Sequence, residues 1–343
     1  MRRDGITFHN VRELRDVEGD GLRLQRVPED VRTRLNEGAQ TRMCHPAGVE
    51  LRFVPDGPVR VTLSSRVRDS VVRPFWGDFQ AAGEEVVVGE EPRTIELELP
   101  EKLTDLRPSV RDGLRYDPRL CRLVLPGEHR GGHIRFHGVE GDVRPPRESE
   151  VPSLRYLAYG TSITEGEAPS SETLTYVNQT ARRLGADPIN LGSCGTAYCD
   201  EAMAEHIAGR GDWDLATLSL SVNMVGTFSV ETFRERAAAM VDAVAGANSD
   251  RPVACITIFP NARDYRVGHE EGEECERFRE ALRSVVADSD RENVHLVEGP
   301  DVLPTAAGLT TDLVHPGDDA MVRMGENLAR ELKPLLPAVE SPA

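Results

Sequence analysis

Hydrophobic and polar positions alternate through residues 49–143. Val49, Leu51 and Phe53 are interleaved with Glu50 and Arg52. Pro55-Asp56-Gly57-Pro58 breaks the run, and Val59, Val61 and Leu63 take it up again. Ile95, Leu97 and Leu99 alternate with glutamates, and residues 120–125 and 134–139 add further short runs. A period of two belongs to strands with one buried face. Short strands parted by Pro/Gly turns, with no sustained helical period, predict a β-sandwich. The first forty residues carry a weaker pattern that leads into it.

The polar, proline-punctuated run Arg144-Pro-Pro-Arg-Glu-Ser-Glu-Val-Pro-Ser153 cannot build a sheet interior and reads as a connection. Beyond it the pattern changes. Apolar runs at 154–159, 188–191, 215–220, 253–259 and 294–297 predict five strands. Stretches of helical period lie between and after them, at 174–184, 201–207, 230–245, 275–286 and 318–336. Strands alternating with helices predict a parallel sheet covered on both faces. The expected fold class is therefore α/β preceded by a β-sandwich. The sandwich is assigned to 1–145, the linker to 146–153 and the α/β domain to 154–338.

A length of 343 residues suits one large or two ordinary domains. Apolar content of 39% is enough for packed cores and excludes wholesale disorder. No apolar run approaches the ~20 residues that cross a bilayer, so no membrane span is expected. No hydrophobic segment follows the basic start, so the chain reads as cytoplasmic. The net charge is −17, and all the basic residues but Lys102 and Lys333 are arginines. An acid excess of this size repels phosphate backbones and argues against nucleic acid as a partner. The six cysteines, Cys44, Cys121, Cys194, Cys199, Cys255 and Cys275, form no Cys-x-x-Cys pair. They are expected as reduced, mostly buried thiols. His129, His133 and His137 recur every four residues, but Ile134 and Phe136 between them favour a strand over a metal site.

In open α/β sheets ligands sit beyond the carboxyl ends of the strands, and small polar residues gather there in this chain. Ser162 follows the first α/β strand, Gly195 the second, Asn223 the third, and Asp312 and His315 the fifth. A serine needs a base to become a nucleophile, and the base needs an orienting carboxylate. Asp312 and His315, three apart, can supply both. The N–H of Ser162, the N–H of Gly195 and the Asn223 amide are candidate oxyanion donors. Each residue has a plainer reading. Ser162 would cap the next segment, Asn223 and Gly195 would serve turns, and His315 would lie on the surface. The complete set, in successive loops, outweighs them. Cys194 is expected as a core thiol rather than a nucleophile, and Asp264 and His269 as parts of a solvated loop rather than a substrate pocket.

These blocks resemble the SGNH (GDSL-like) hydrolase superfamily. Gly160-Thr161-Ser162-Ile163 matches its nucleophile block, with threonine where aspartate is common. Gly195 and Asn223 fall on its glycine and asparagine, and Asp312-x-x-His315-Pro316 is intact. Ser221 and Met224 replace the usual glycine and aspartate of the third block. The resemblance covers about residues 154–336 and implies a flavodoxin-like five-stranded sheet. The front half is similar to the β-sandwich of some bacterial esterases, and of a polyketide acyltransferase, in that superfamily. The implied activity is a serine esterase acting on a small, acetyl or short-chain, O-acyl ester, with no metal or organic cofactor. Two alternatives stand beside it: an acyltransferase using the same site, and a carbohydrate-binding protein on an inactive scaffold.

Overall fold

The computed structural model describes residues 1–83, 85–127, 132–267 and 271–337. Its C-terminal half is a five-stranded parallel sheet of Arg155–Gly160, Asp187–Gly192, Leu215–Ser219, Val253–Ile256 and Val294–Val297. In space the order is second, first, third, fourth, fifth. The sheet is flavodoxin-like, as expected, and its order reverses between the first and third strands. Alternation along each strand feeds two cores. Leu157, Tyr159, Ala216 and Leu218 face Met203, Phe233, Val241, Phe278 and Leu282 on one side. Tyr156, Ala158, Ala254 and Ile256 face Tyr176, Val177, Met321 and Leu328 on the other. The helices begin and end where their caps dictate. Ser229 Oγ accepts the Thr232 N–H at the start of Val230–Ala247, and Gly185, at φ +68°, closes Tyr176–Leu184.

The N-terminal half is a sandwich of two antiparallel sheets. One contains Ile6–His9, Glu50–Pro55, Cys121–Val124 and Ser70–Trp76, and the other Arg93–Leu97, Val59–Arg66, His133–Glu140, Leu22–Gln25 and Glu13–Asp16. Phe8, Leu51, Phe53, Trp76 and Leu123 meet Leu63, Ile134 and Phe136 between them. The first 25 residues are thus integral to the sandwich rather than a lead-in. Their strands are two to four residues long, too short for a period to show in sequence. Residues 27–43 instead pack Val31, Leu35, Ala39 and Met43 against Ile189, Leu191 and Met203 of the α/β half.

The two halves meet along the edge of the parallel sheet. Asp187–Gly192 is an edge strand, and its outward carbonyls would otherwise need water or another strand. His9 Nε2 lies 2.6 Å from Pro188 O, Asn10 Nδ2 donates to Asn190 O (2.8 Å), and Arg26 Nη1 donates to Asn190 O and Gly192 O (3.0 and 2.9 Å). At the strand's start Asp187 takes two bonds from Arg52 (2.6 and 2.7 Å) and one from Tyr116 Oη (2.8 Å). Burial works against ionising Asp187, but Arg52 and then His9 hold its carboxyl below the usual carboxylate range. The sandwich therefore fixes the strand that leads into one of the candidate loops.

Glu172 is buried at the same junction. Its Oε1 accepts from Gly48 N (2.9 Å), while Oε2 is buried without a partner among the described residues. Burial pushes its carboxyl from 4.5 up to about 8, against the weaker pull of the Gly48 N–H and Arg26. Below pH 4.5 the folded and unfolded chains both hold the proton. Between 4.5 and about 8 only the folded chain keeps it, so stability falls as pH rises through that window. The expected slope from this one group is a little over ~1 kcal/mol per pH unit. Urea unfolding of wild type and Glu172→Gln at pH 5 to 9 checks this: the difference between their pH curves should lie in that window and vanish as a trend above it.

Candidate active site

The first parallel strand ends at Gly160, Thr161 is extended (φ −93°, ψ −157°), and Ser162 opens a four-residue helix, Ser162–Glu165. At this first helical position the Ser162 N–H has no intrahelical acceptor. Gly166, at φ +98°, stops the helix after one turn. The neighbouring strand must come close: a Cβ on Gly192 would lie 2.2 Å from Glu165 N. Ser162 is only 5% exposed, so its position is set by packing on every side.

Asp312 and His315 share one tight turn. Leu313 N donates to Thr310 O (2.9 Å), Thr310 N donates to His315 O (2.8 Å), and Leu313 sits at φ +57°. Asp312 Oδ1 accepts from Thr310 Oγ1, Val314 N and His315 N (2.7, 2.7 and 3.0 Å). That leaves Oδ2 for His315 Nδ1, at 2.7 Å. Burial disfavours the Asp312 carboxylate, but the His315 ring and these N–H and O–H donors hold it below the ordinary range. His315 Nε2 then lies 2.8 Å from Ser162 Oγ. Serine, histidine and aspartate, 153 residues apart in sequence at the widest, form one continuous chain of hydrogen bonds.

The expected donors lie on adjoining loops. Gly195 adopts φ +68°, in the left-handed region that suits glycine, and a Cβ there would meet nothing within 4 Å. Asn223 Oδ1 accepts from Ala197 N (3.2 Å), which ties the third loop to the second and leaves Nδ2 free to donate. Neither Ser162 N nor Gly195 N has an acceptor among the described residues. Ser221 is held at φ +94°, a conformation natural to glycine, and Met224 is wholly buried.

Several contributors were not nominated from the sequence. Glu165 is fully buried; its Oε1 meets His45 Nδ1 (2.8 Å), and its Oε2 takes the Cys194 N–H (2.6 Å). Arg42 Nε donates to Cys194 O (3.0 Å), and Asn36 Nδ2 to Thr196 O (2.9 Å). Residues 26–45 thus grip the 192–197 loop from outside the α/β half. Glu167 is the other omission: its Oε2 lies 3.0 Å from His315 Nε2 and 3.1 Å from Cys194 Sγ. Burial would lower the His315 pKa, but Glu167 and then Asp312 raise it to about 9. The acidic Glu165-Gly166-Glu167, beginning three residues after the serine, was the available clue. Cys194 is not the expected core thiol, because its loop turns it toward Glu167; the other five cysteines are buried.

The remaining candidates lie elsewhere. Asp264, expected in a solvated loop, sits in the short helix Ala262–Tyr265 with two bonds from Arg279 (2.9 Å each), because Arg279 is buried and needs a counter-charge. His269 and His129 fall outside the described residues. His137 Nε2 is 2.8 Å from Ser64 Oγ, and His133 packs on the His45 ring (centroids 5.2 Å apart). Among the described residues no helix is long and apolar enough to cross a membrane.

A family model described as GDSL-like lipase/acylhydrolase matches residues 155–333. No curated protein matches the chain by sequence. A salicylyl-acyltransferase from a tetracycline biosynthetic pathway superposes with a TM-score of 0.79 at 18% identity, over 97% of this chain and 95% of that one. A protein described as a GDSL-like lipase from Bacteroides ovatus gives 0.66 at 17% identity, over 91% of each chain. A family two carbohydrate esterase from Clostridium thermocellum, solved with cellohexaose, gives 0.56 at 18% identity, over 83% of this chain and 91% of that one. At these identities the likeness is one of fold, sandwich included.

Proposed function

The chain belongs to the GDSL-like lipase/acylhydrolase family, and from that premise we propose that it is a serine esterase that hydrolyses a small O-acyl ester through an acyl-enzyme. The observation that carries this reading is the chain Ser162 Oγ–His315 Nε2–Asp312, with links of 2.8 and 2.7 Å. In the neutral ring Asp312 keeps the proton on Nδ1, so the Nε2 lone pair is presented to the serine hydroxyl. Ser162 Oγ attacks the ester carbonyl as its proton passes to Nε2. The carbonyl oxygen becomes an oxyanion held by the N–H groups of Ser162 and Gly195 and by Asn223 Nδ2. As the tetrahedral intermediate collapses, the C–O bond breaks and His315 returns the proton to the departing alcohol. Water then gives its proton to His315 and attacks the acyl carbon; as that intermediate collapses the acid departs and His315 returns the proton to Ser162 Oγ.

The test uses p-nitrophenyl acetate, butyrate and octanoate with the full chain. Nitrophenol release should decline toward octanoate, and the intact mass should show one transient acyl adduct on Ser162. No release from any ester and no adduct would remove the esterase reading. A second reading, acyl transfer to an alcohol, draws support from the salicylyl-acyltransferase likeness over nearly the whole chain. The two differ only in what attacks the acyl-enzyme. Product analysis with a competing alcohol separates them: free acid throughout favours hydrolysis, and a new ester that outcompetes water favours transfer.

A further inference from the structure

We propose that Glu167 forms a resting ion pair with His315 that occupies the base nitrogen and must open in every turnover. The proposal rests on the reading of Ser162 as nucleophile and His315 as base. With both carboxylates ionised, the geometry assigns the protons. Asp312 Oδ2 lies 2.7 Å from Nδ1 and Glu167 Oε2 lies 3.0 Å from Nε2. Ionised carboxylates only accept, so a ring with one on each nitrogen must carry both protons. In this arrangement Nε2 has no lone pair, and Ser162 Oγ at 2.8 Å shares the Nε2–H with Glu167 rather than giving up its own proton.

Turnover needs the other state. When the Nε2 proton leaves to solvent base, the nitrogen presents a lone pair, which repels a carboxylate oxygen at that distance. Glu167 then withdraws, and the Ser162 hydroxyl turns to donate to Nε2. The water or alcohol that resolves the acyl-enzyme must bring its O–H to the same nitrogen, so the place Glu167 vacates is the place the acceptor takes. Glu167 is 17% exposed and also meets Cys194 Sγ, 3.1 Å away.

Among the described residues, the titratable and charged groups around the ring are these. Glu167 and Asp312 face His315 directly. Cys194, from the loop after the second strand, faces Glu167. Glu165, behind, is turned to His45 and to the Cys194 N–H, with Arg26 at 3.8 Å. Removing the charge of Glu167 therefore removes one of the two carboxylates that stabilise the imidazolium.

The experiment compares wild type with Glu167→Gln, which keeps shape and removes charge. A histidine-labelled NMR titration reads the His315 midpoint directly, whether or not any ester turns over. It should lie near 9 in wild type and fall by about one to two units in the variant. The acid limb of kcat/KM should move with it, so the variant gains about ten- to fiftyfold at pH 7 while the alkaline plateaus stay close. A side chain that merely packs would change the melting temperature and leave both midpoints in place. Equal NMR midpoints in the two proteins overturn the ion pair. A shifted NMR midpoint with an unmoved acid limb overturns its part in turnover. If neither protein cleaves any ester, the esterase reading fails and with it the role in turnover, while the NMR midpoint still decides the ion pair.

Discussion

Ser162→Ala is expected to lower ester turnover by roughly 10⁴–10⁶-fold, with the melting curve close to that of wild type. Among the described residues the hydroxyl makes one hydrogen bond, to His315 Nε2, and it lies at the start of a helix held by its backbone and by Gly192. Its loss removes the covalent route and leaves the donors, which alone retain some catalysis. Release of nitrophenol from p-nitrophenyl acetate, followed alongside intact mass, gives both readouts: no burst and no acyl adduct. Turnover within tenfold of wild type would move the chemistry to another residue, with Cys194 the first to test.

Asn223→Ala is expected to lower kcat by ~10²–10³-fold with KM nearly unchanged. A donor that strengthens only as the carbonyl oxygen gains charge acts on the transition state more than on bound substrate. Asn223 also takes the Ala197 N–H, so a cost of about 1 kcal/mol in stability should accompany the loss. Steady-state kinetics and urea unfolding separate the two effects. A kcat within threefold of wild type would exclude Asn223 from the oxyanion site, leaving it as a tie between two loops.

The α/β half was legible because each of its elements announces itself locally. Apolar runs of four to seven residues, parted by stretches of helical period, give the parallel sheet, and the parallel sheet puts every strand's following loop at one edge. Ser162, Gly195, Asn223, Asp312 and His315 could therefore be nominated from chain position, and the turn at 310–315 brings Asp312 and His315 into contact as their spacing suggested. The first 25 residues were illegible for the opposite reason: strands of two to four residues hold too few positions to reveal a period.

By itself the sequence determined the fold class, the order of the parallel strands' loops, the identity of the candidate nucleophile, base and orienting acid, and the family. The fold class depends on periodicity, the base and its orienting acid on spacing within a few residues, and the family on the resemblance of short blocks taken in order along the chain. Only the tertiary structure decided that Arg26 and Arg42 grip the 192–197 loop, that His45 holds Glu165 against its Cys194 N–H, and that Glu167 meets the base nitrogen. The contacts of Arg26, Arg42 and His45 join residues 120 to 166 apart, and the others depend on how a one-turn helix aims the chain beyond it. Such contacts arise when separately folded surfaces dock, and no local pattern in the chain encodes which side chain will face which.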